Sequence, residues 1–522
     1  MAYYDPMCMF LFLPALLLVY HFTGRKVRRI ILLLANLAFF MLFSRQYVFW
    51  LLLVIVVIYI AGLAMDRVDG LSGSGKWADK SKREQKQLKK KYKRMILAAG
   101  VVITFGILVV LKYSGFLVSV FNDLFGTAFE LPSFVVPIGI SFYTLQAVSY
   151  MADVCRGEIK ADRNILRVAL FLSFFPQIME GPIARYEETA DDLYAANPIR
   201  SENLAFGVQR FLWGMFKKFV IADRMAPVVS EIFTNYQAYS GGMIALGAVM
   251  YTLMLYCDFS GCIDMAIGIA EMFGVTLPEN FRQPFFSRSA SEFWRRWHIT
   301  LGSWLRDYIF YPVSVSKPMK NAMKKTKKSL GKHLSAMIPL VCALFCVWAV
   351  NGFWHGAGYQ YLFFGMYYFV IIALSNILEP VFKAILKKLH LGEEKVGWRI
   401  FQHIRTLIIV FIGEMFFNAA DLATGFAMIG KIFSDFRFPE FTDGTLLSIG
   451  MDIQDFVIVA IALLTVLAVG ILHEKDIRIR QRIAGMKLAA RWIFYYIGFF
   501  AVTIFGAYGA GYTIVDMIYA GF

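Results

Sequence analysis

Long apolar runs alternate with short polar segments along almost the whole chain. A helix that crosses a bilayer needs about 20 mostly apolar residues. Thirteen runs approach that length, at residues 7–22, 30–44, 47–65, 95–113, 135–152, 165–180, 203–222, 243–257, 336–352, 357–378, 404–420, 453–472 and 493–515. Because Gly, Pro or charged residues interrupt several runs, we expect about 10–12 crossings and assign the rest to re-entrant or interfacial helices. The pattern predicts an all-α fold, a polytopic transmembrane helical bundle that forms a single domain over residues 1–522.

The polar segments between the apolar runs are rich in Lys and Arg, notably at residues 24–29, 66–94, 317–333, 383–405 and 474–491. Basic connections face the cytoplasm by the positive-inside rule. We therefore expect basic cytoplasmic loops, the longest of them near 66–94 and 314–335. One apolar run precedes the first basic segment and one follows the last, which predicts that both termini lie outside the cytoplasm. The expected location is the plasma or inner membrane.

Composition agrees with a membrane protein, since 58% of the residues are apolar and only 17% are charged. Soluble proteins average about 45–50% apolar and about 25% charged residues. The net charge of +16 lies mainly in the basic connections. We interpret this charge as a contact with anionic lipid headgroups rather than with nucleic acid. The six cysteines show no zinc-ligand spacing, so no metal site is predicted.

The sequence WAVNGFWHG at Trp348–Gly356 joins two strongly apolar runs. An ionisable side chain within a membrane is costly, so it is a functional hypothesis by default. If the helix continues through Gly352, then Trp348, Asn351 and His355 share one face. Asn351 would then hydrogen-bond one ring nitrogen of His355 and leave the other as a base, while the turn Gly352–Gly356 allows close approach of a substrate. The alternative is a packed histidine at a helix end.

A second polar motif, SEFWRRWHITLGSWLRDYIFYP, covers Ser291–Pro312. Spacings of three place Arg295 with His298, and Trp294 with Trp297, on shared helical faces. The arginines of this motif are candidates to bind the phosphates of a carrier. The alternative is an interfacial helix with an aromatic belt and snorkelling arginines, which explains the tryptophans better than it explains His298. The predicted donor- and substrate-binding residues are Trp294, Arg295, Arg296, Trp297, Arg306, Asp307, Asp258 and Trp354.

Three carboxylates in apolar surroundings form weaker candidates. Asp258 and Asp264 follow Tyr256 in one apolar run, and we expect them to pair with arginines such as Arg295 or Arg306. Glu180 precedes Gly-Pro and predicts an irregular turn at membrane depth with a structural role.

These motifs resemble the membrane-bound O-acyltransferase superfamily, and within it the alginate O-acetylase branch of bacterial polysaccharide acetyltransferases. The resemblance extends over most of the chain. It is carried by FLFLPALLLVYHF near the start, VVPIGISFYTLQAVSYMADVCRG at Val135–Gly157, FFPQIMEGPIARY at Phe174–Tyr186 and YCDFSGCIDMAIGIAEMFGVTLPENF at Tyr256–Phe281. The two histidine motifs follow in the order found in the family.

The resemblance implies a helical bundle around a membrane-embedded tunnel, in which an acyl group moves from a thioester to a hydroxyl. The invariant family histidine maps to His355 and the second family histidine to His298. The donor is expected to be acetyl-CoA or an acyl-carrier thioester, with no bound cofactor. The expected acceptor is an extracytoplasmic glycan, reached through an extracytoplasmic SGNH-type acetyltransferase partner.

The mechanism predicted from these residues uses His355 as the base, oriented by Asn351. His298, Arg295 and Arg296 would line the cytoplasmic approach of the donor. Three alternatives remain at this stage: D-alanyl transfer to teichoic acid, a glycan transporter without enzymatic activity, and a membrane scaffold for a synthesis complex. The last two do not require an intramembrane histidine.

Overall fold

The structure is a computed structural model that describes residues 3–71, 77, 80–132, 134–392, 395–508 and 512. Helices of the α, π and 3-10 types make up the regular structure of these residues, and none of them belongs to a β-strand. The all-α prediction is therefore confirmed. The end of the run predicted over residues 493–515 lies partly outside the described residues.

Nine helices of the described chain are long and apolar enough to cross a membrane. They are α1 (Arg25–Ser44), α2 (Val48–Gly70), α3 (Lys82–Phe125), α4 (Gly241–Met272), α5 (Lys317–His355), α6 (Tyr359–Ile377), α7 (Val396–Asn418), α8 (Ile453–Glu474) and α9 (Leu488–Phe505). Each overlaps one of the thirteen predicted runs. The number of candidate crossings is thus one below the lower end of the expected range.

The other four predicted runs form shorter or interrupted elements. The first becomes a π-turn at Cys8–Phe12 followed by a helix at Leu13–His21. The run at 135–152 becomes a helix at Ile140–Arg156, whose residues are mostly buried by protein. The run at 165–180 breaks at Phe174, between helices at Ile165–Ser173 and Phe175–Ile178. The run at 203–222 passes from a helix at Ser201–Met215 into a π-helix at Phe216–Ala222.

Two basic segments that were predicted as loops are largely helical. Ser81 caps α3 by accepting a hydrogen bond from the Glu84 backbone, and the Glu84 side chain completes the capping box. Ser316 caps α5 by accepting a hydrogen bond from the Met319 backbone, and α5 runs to His355 with a break at Gly331, where φ is 76°. Lysine is a good helix former, so these basic sequences extend the spanning helices beyond their apolar parts.

The remaining short helices connect the spans or lie beside them. The α-helices not yet given are Tyr186–Ala195, Asp223–Thr234, Ala290–Arg296, Ile299–Leu305, Tyr311–Ser314, Glu379–Lys388, Leu422–Ser434, Thr445–Ser448 and Ile479–Ala484. The π-helices Val109–Tyr113 and Arg306–Phe310 and the 3-10 turns Arg45–Tyr47, Tyr236–Ala238, Pro284–Phe286 and Pro439–Phe441 complete the described set.

The chain separates into two compact units, of which the first contains residues 3–211 and 263–278. Its centre is the helix Ile140–Arg156, which packs against α2 and α3. An ion pair joins Arg210 to Asp264 with Nη2 and Oδ1 2.9 Å apart. The predicted irregular turn at Glu180 is present and fully buried in this unit.

The second unit contains residues 212–262 and 279–508. Here α5 and α6 form an antiparallel hairpin joined by the three residues 356–358, and α7 packs on α6. The π-helix Phe216–Ala222 packs against α8 and α9. Both predicted histidine motifs lie in this unit, and the candidate site can therefore be described within it.

Candidate active site

His355 is the last residue of α5 and is buried, with 3% of its surface exposed. Three aromatic rings surround its imidazole. The ring centroids of Trp354, Phe417 and Phe364 lie 5.0, 5.2 and 5.8 Å from it. The first belongs to α5, the second to α7 and the third to α6. The histidine is therefore enclosed by three helices at one end of their spans.

Close packing of α5 on α6 sets the position of His355. A Cβ atom on Gly352 would lie 2.4 Å from the Tyr361 carbonyl oxygen, and one on Gly365 would lie 2.3 Å from the Trp348 carbonyl oxygen. Only glycine permits two backbones to approach this closely. The predicted turn at Gly352–Gly356 is wrong at its start, because Gly352 lies inside the helix and serves this contact.

Asn351 lies on the predicted helical face and is buried with His355. Its side-chain oxygen, however, accepts no hydrogen bond from any residue that the structure describes. The oxygen therefore does not bond the His355 ring, and the hydrogen bond expected between Asn351 and a ring nitrogen of His355 stays a prediction. Asn351 remains a neighbour of His355 on the same face, one helical turn away.

His298 is held by a different arrangement from the predicted helix. The helix Ala290–Arg296 ends before it, Trp297 is extended, and His298 has a left-handed backbone with φ of 46°. The prediction that Arg295 and His298 share a helical face is therefore wrong. Asn280 stabilises the break, since its Oδ1 lies 3.2 Å from His298 Nδ1 and accepts hydrogen bonds from the Thr300 backbone and hydroxyl.

His298 is buried against aromatic rings and is neutral. Phe259 packs edge-on against its imidazole, with ring centroids 4.9 Å apart. Burial lowers the pKa of His298 to about 3, because a low-dielectric environment disfavours the charged imidazolium. A neutral imidazole keeps one nitrogen as a hydrogen-bond acceptor and the other as a donor.

Trp354 brings the two predicted histidines into one cluster. Its indole lies 5.8 Å from the His298 ring and 5.0 Å from the His355 ring, measured between centroids. The two histidines lie 57 positions apart in the sequence. The fold therefore places both imidazoles beside one tryptophan, in a buried aromatic environment with two nitrogen bases.

A column of aromatic rings leads from the second motif toward this cluster. Trp294 contacts Trp348 at 5.1 Å and Tyr368 at 4.8 Å, and Tyr368 contacts Phe364 at 5.1 Å. Phe364 in turn contacts His355. Trp297 instead packs on the Phe293, Phe281 and Tyr256 rings and is buried. Of Trp294 and Trp297, only Trp294 belongs to the aromatic wall that reaches His355.

The predicted donor-binding arginines have different surroundings. Arg295 is exposed. Arg296 forms ion pairs with Glu292 at 2.9 Å and with Glu474 at 2.5 Å. Arg306 is exposed and pairs with its neighbour Asp307 at 2.9 Å. Carboxylates of this chain therefore already neutralise two of the three arginines.

The two aspartates of α4 do not pair with the predicted arginines. Asp258 Oδ1 lies 2.6 Å from Lys218 Nζ, which also pairs with Asp223 at 2.8 Å. Asp264 pairs with Arg210, as described for the first unit. The expectation of pairing with Arg295 or Arg306 is therefore wrong. The cations that pair with these aspartates lie on the segment 201–234, and no spacing in the sequence indicated these ion pairs.

Two polar residues near the cluster, Glu414 and Tyr368, were not predicted from the sequence. Glu414 of α7 is 2% exposed, and its Oε1 accepts no hydrogen bond from the described residues. It lies one helical turn before Phe417, which packs on His355. The second residue is Tyr368, whose hydroxyl packs against Gly413, the neighbour of Glu414 in the sequence. A Cβ atom on Gly413 would lie 2.6 Å from this hydroxyl. The sequence feature that could have identified Glu414 is that it is the single carboxylate in the apolar run 404–420.

No group of three or more His, Cys, Asp or Glu side chains that could hold a metal ion occurs among the residues that the structure describes.

A sequence model of the membrane-bound O-acyltransferase family matches residues 156–327, an interval that contains His298. A probable alginate O-acetylase AlgI from Pseudomonas aeruginosa is 32% identical over 439 residues, which cover 83% of this chain and 75% of that protein. A second one, from Pseudomonas syringae pv. tomato, is 31% identical over 438 residues, again covering 83% of this chain and 75% of the relative.

Two further relatives are named for other activities. A peptidoglycan O-acetyltransferase from Helicobacter pylori is 29% identical, covering 65% of this chain and 64% of its own length. A teichoic acid D-alanyltransferase from Bacillus subtilis is 30% identical, covering 46% of this chain and 59% of its own length. The similarity to the alginate O-acetylases thus extends over a larger share of the chain.

Proposed function

Because the chain belongs to the membrane-bound O-acyltransferase superfamily, in its alginate O-acetylase branch, we propose that it moves an acetyl group from a cytoplasmic thioester toward an extracytoplasmic polysaccharide. The chain is an acyltransferase and a multi-pass membrane protein. The donor, the acceptor and the direction of transfer are the parts that we propose.

The observation that carries this proposal is the cluster of His355, Trp354 and His298. Acyl transfer to a hydroxyl needs a base within hydrogen-bond reach of the attacking oxygen, and such a base contributes about 10²–10⁴-fold to the rate. Two buried imidazoles beside one indole supply this chemistry. A glycan transporter or a scaffold has no need for this cluster.

The reaction balances with His355 as the catalytic base. The acceptor hydroxyl attacks the thioester carbonyl as its proton passes to a ring nitrogen of His355. The tetrahedral intermediate then collapses, the carbon–sulfur bond breaks, and His355 returns the proton to the leaving thiolate. Neutral His298 supplies a hydrogen bond on the donor side of Trp354. Asn351 shares the face of His355 and contributes an amide to the same surface.

The positions of the basic segments support a cytoplasmic donor. The basic part of α5 ends near Gly331, and His355 lies 24 residues further along the helix, a rise of about 36 Å. By the positive-inside rule, the basic end faces the cytoplasm and His355 lies toward the opposite side. The same rule predicts that both termini are extracytoplasmic, in the plasma or inner membrane.

An extracytoplasmic glycan is the acceptor that we propose, with an SGNH-type acetyltransferase as a partner that completes the transfer. Acetyl-CoA or an acyl-carrier thioester is the proposed donor. D-alanyl transfer to teichoic acid is the second candidate, since a D-alanyltransferase is among the relatives. That relative matches a smaller share of this chain, which favours acetyl transfer.

Deletion and complementation of the gene test the proposal. A strain that lacks the chain is complemented with the wild type or with His355→Ala, and equal membrane levels are confirmed. Base-labile acetate is then measured on purified exopolysaccharide and on cell wall. We expect the acetate to disappear with His355→Ala while the polymer is still exported.

The other outcomes separate the alternatives. Loss of exported polymer with unchanged acetate content would indicate a transporter. Loss of esterified D-alanine, rather than acetate, would indicate the teichoic acid reaction. Full acetylation by His355→Ala would exclude His355 as the catalytic base.

A further inference from the structure

The connection between α6 and α7 contains a short helix, Glu379–Lys388, that other parts of the chain hardly cover. Pro380 lies in its first turn, where a proline suits a helix, and the positive φ of His390 lies just beyond its end. The structure describes every residue of this helix; none of them is buried, and only Leu386 is half-buried. The helix therefore presents most of its surface to whatever surrounds the protein.

The side chains of this surface helix divide into an apolar face and a basic face. The apolar side chains follow each other at helical spacing and consist of Val381, Phe382, Ile385, Leu386 and Leu389. Val381, Phe382 and Ile385 are each about half exposed. The three lysines, at positions 383, 387 and 388, lie outside this face. Such a division on an exposed helix is typical of helices that lie in the plane of a membrane surface.

The polar side of the surface helix carries a positive charge. Lys383 pairs with Glu379, with Nζ and Oε1 2.6 Å apart, whereas Lys387 and Lys388 form no ion pair with a carboxylate that the structure describes. Three lysines and one glutamate give the helix a formal charge of +2. A lysine near an anionic membrane surface strengthens binding by about 5-fold. Lys387 and Lys388 are therefore available to anionic headgroups.

A contact between α5 and α6 places the surface helix at the level where the apolar spans begin. His333 Nε2 lies 3.0 Å from the carbonyl oxygen of Ile377, the last residue of α6. On α5, this histidine separates the lysine-rich stretch 317–332 from the uncharged stretch 334–350. Only Leu378 lies between Ile377 and the surface helix. The helix therefore starts at the boundary between basic and apolar sequence, where the lipid headgroups are expected.

We propose that the helix Glu379–Lys388 lies in the headgroup layer on the basic side of the membrane and binds anionic phospholipids through Lys387 and Lys388. Its apolar face enters the outer part of the acyl-chain region, and the lysine side chains extend to the phosphates. A lipid surface fits this helix better than a protein partner does, because the helix follows a span after a single residue and therefore cannot leave the bilayer surface. The proposal does not rest on the proposed acyl transfer.

The depth of the two faces is measured on the full-length protein in nanodiscs of phosphatidylcholine with phosphatidylglycerol. A fluorescent label is attached to Phe382→Cys or to Lys387→Cys, in a background in which the half-buried Cys155, Cys342 and Cys346 are replaced by Ser. Lipids with a nitroxide on the acyl chain quench a label that lies in the membrane. We expect the label at position 382 to lose most of its fluorescence and the label at position 387 to lose little.

The preference for anionic lipid is measured with the same label at position 382. Nitroxide-labelled phosphatidylglycerol and nitroxide-labelled phosphatidylcholine are compared in otherwise identical nanodiscs. Half-quenching should need at least ~5-fold less phosphatidylglycerol, because each lysine contributes about that factor. Lys387→Gln with Lys388→Gln should bring the two concentrations together and leave the quenching by phosphatidylcholine unchanged.

Two pairs of substitutions serve as controls. Lys387→Arg with Lys388→Arg keeps both charges and should keep the preference. Lys475→Gln with Lys487→Gln removes the same charge from exposed positions outside the surface helix and should also keep it. Unfolding midpoints in the same nanodiscs show whether each variant remains folded.

Two outcomes would overturn the proposal. Equal, weak quenching at positions 382 and 387 would show that the apolar face does not enter lipid and would leave a protein as its partner. Equal half-quenching concentrations of the two lipids with both lysines present would show that the helix does not recognise anionic headgroups. Neither measurement requires an acyl donor, so both are independent of the proposed function.

Discussion

At the scale of single residues, Asn280 determines where the second imidazole lies. One side-chain oxygen contacts His298 Nδ1 and accepts two hydrogen bonds from Thr300. These contacts offset the strain of the left-handed backbone at His298, a conformation that a non-glycine residue rarely adopts. Asn280 is therefore a positioning residue for His298.

Asn280→Leu should destabilise the protein by about 3 kcal/mol, because it leaves three buried donors without an acceptor. The free energy of unfolding, measured by denaturant titration in detergent, checks this value. Thr300→Val removes one of the three donors and should cost about 1 kcal/mol. Equal stability of Asn280→Leu and the wild type would show that the amide does not hold the His298 segment.

The lowered pKa of His298 predicts an acid-sensitive fold. Below the usual imidazole pKa of about 6.5 the unfolded chain binds a proton that the buried ring does not bind. This residue therefore lowers stability as the pH falls from about 6.5 toward 3, with a slope of up to about 1.4 kcal/mol per pH unit. His298→Gln should show a shallower slope over that window. Identical slopes for the two proteins would contradict a neutral, buried His298.

The sequence identified both histidines as candidate site residues, but it did not predict that they lie beside one tryptophan or how His298 is held. Both stand out as ionisable residues in apolar surroundings. Asn280 gave no signal because it lies 18 positions before His298, in a stretch without helical periodicity. The end of the helix at Arg296 depends on this tertiary contact, so the assumed helical spacing of Arg295 and His298 failed.

At the scale of elements, the close contact of α5 with α6 carries His355 into the cluster. Gly352 and Gly365 face each other. A Cβ atom placed on Gly365 would lie 3.2 Å from Gly352 Cα. In a membrane such small residues allow helix packing by close backbone approach. The contact lies one turn from His355, so a shift of the hairpin moves the imidazole.

Gly365→Ala should destabilise the hairpin by about 1–3 kcal/mol, because the added methyl group overlaps the Trp348 carbonyl oxygen. The change in unfolding free energy and the rate of acetyl transfer are measured together. Gly397→Ala is the matched control, since a Cβ there meets no atom within 4 Å. We expect that control to be neutral or slightly stabilising, because Ala is the better helix former. A neutral Gly365→Ala would show that the hairpin accommodates the methyl group.

A buried ion cluster holds the π-helix Phe216–Ala222 against α4. Lys218 is fully buried and pairs with both Asp223 and Asp258. Lys217 lies beside it and donates a hydrogen bond to the Ser260 hydroxyl at 2.8 Å. Phe259, between Asp258 and Ser260, packs on the His298 ring. The cluster therefore fixes the part of α4 that supports the second imidazole.

Lys218→Met should destabilise the protein by at least ~3 kcal/mol, because it leaves two buried carboxylates without their shared cation. Adding Asp223→Asn and Asp258→Asn removes both uncompensated charges and should restore most of the lost stability. Unfolding free energies of the single and triple variants measure the difference. A triple variant no more stable than Lys218→Met would show that charge compensation is not the role of the cluster.

Apolar length predicted the long helices well and the short ones poorly. Nine runs became helices of spanning length because about 20 apolar residues suffice to define a crossing. The runs at 135–152 and 165–180 are also apolar, but most of their side chains are buried by other parts of the chain. Apolar composition does not distinguish a helix that faces lipid from one that protein covers. The basic segments were predicted as loops from their charge alone, although Lys is a good helix former.

At the scale of the whole molecule, the basic segments and the histidine cluster define opposite ends of the spans in the second unit. In α5, the basic residues come before the apolar part that can span the membrane. In α7, the basic residues likewise come before the second half of the helix, which contains Phe417. This arrangement agrees with a donor that enters from the cytoplasm and an acceptor on the other side.

We propose that His355 catalyses acetyl transfer from a donor on the side of the basic segments. The most direct measurement uses purified protein in proteoliposomes of known orientation. Radiolabelled acetyl thioester is supplied on the basic side, and the acceptor glycan with its partner on the other. We predict that the wild type transfers label to the glycan and that His355→Ala, at equal levels and with unchanged stability, does not. Transfer by His355→Ala, or transfer only when the donor is supplied on the side of His355, would contradict the account.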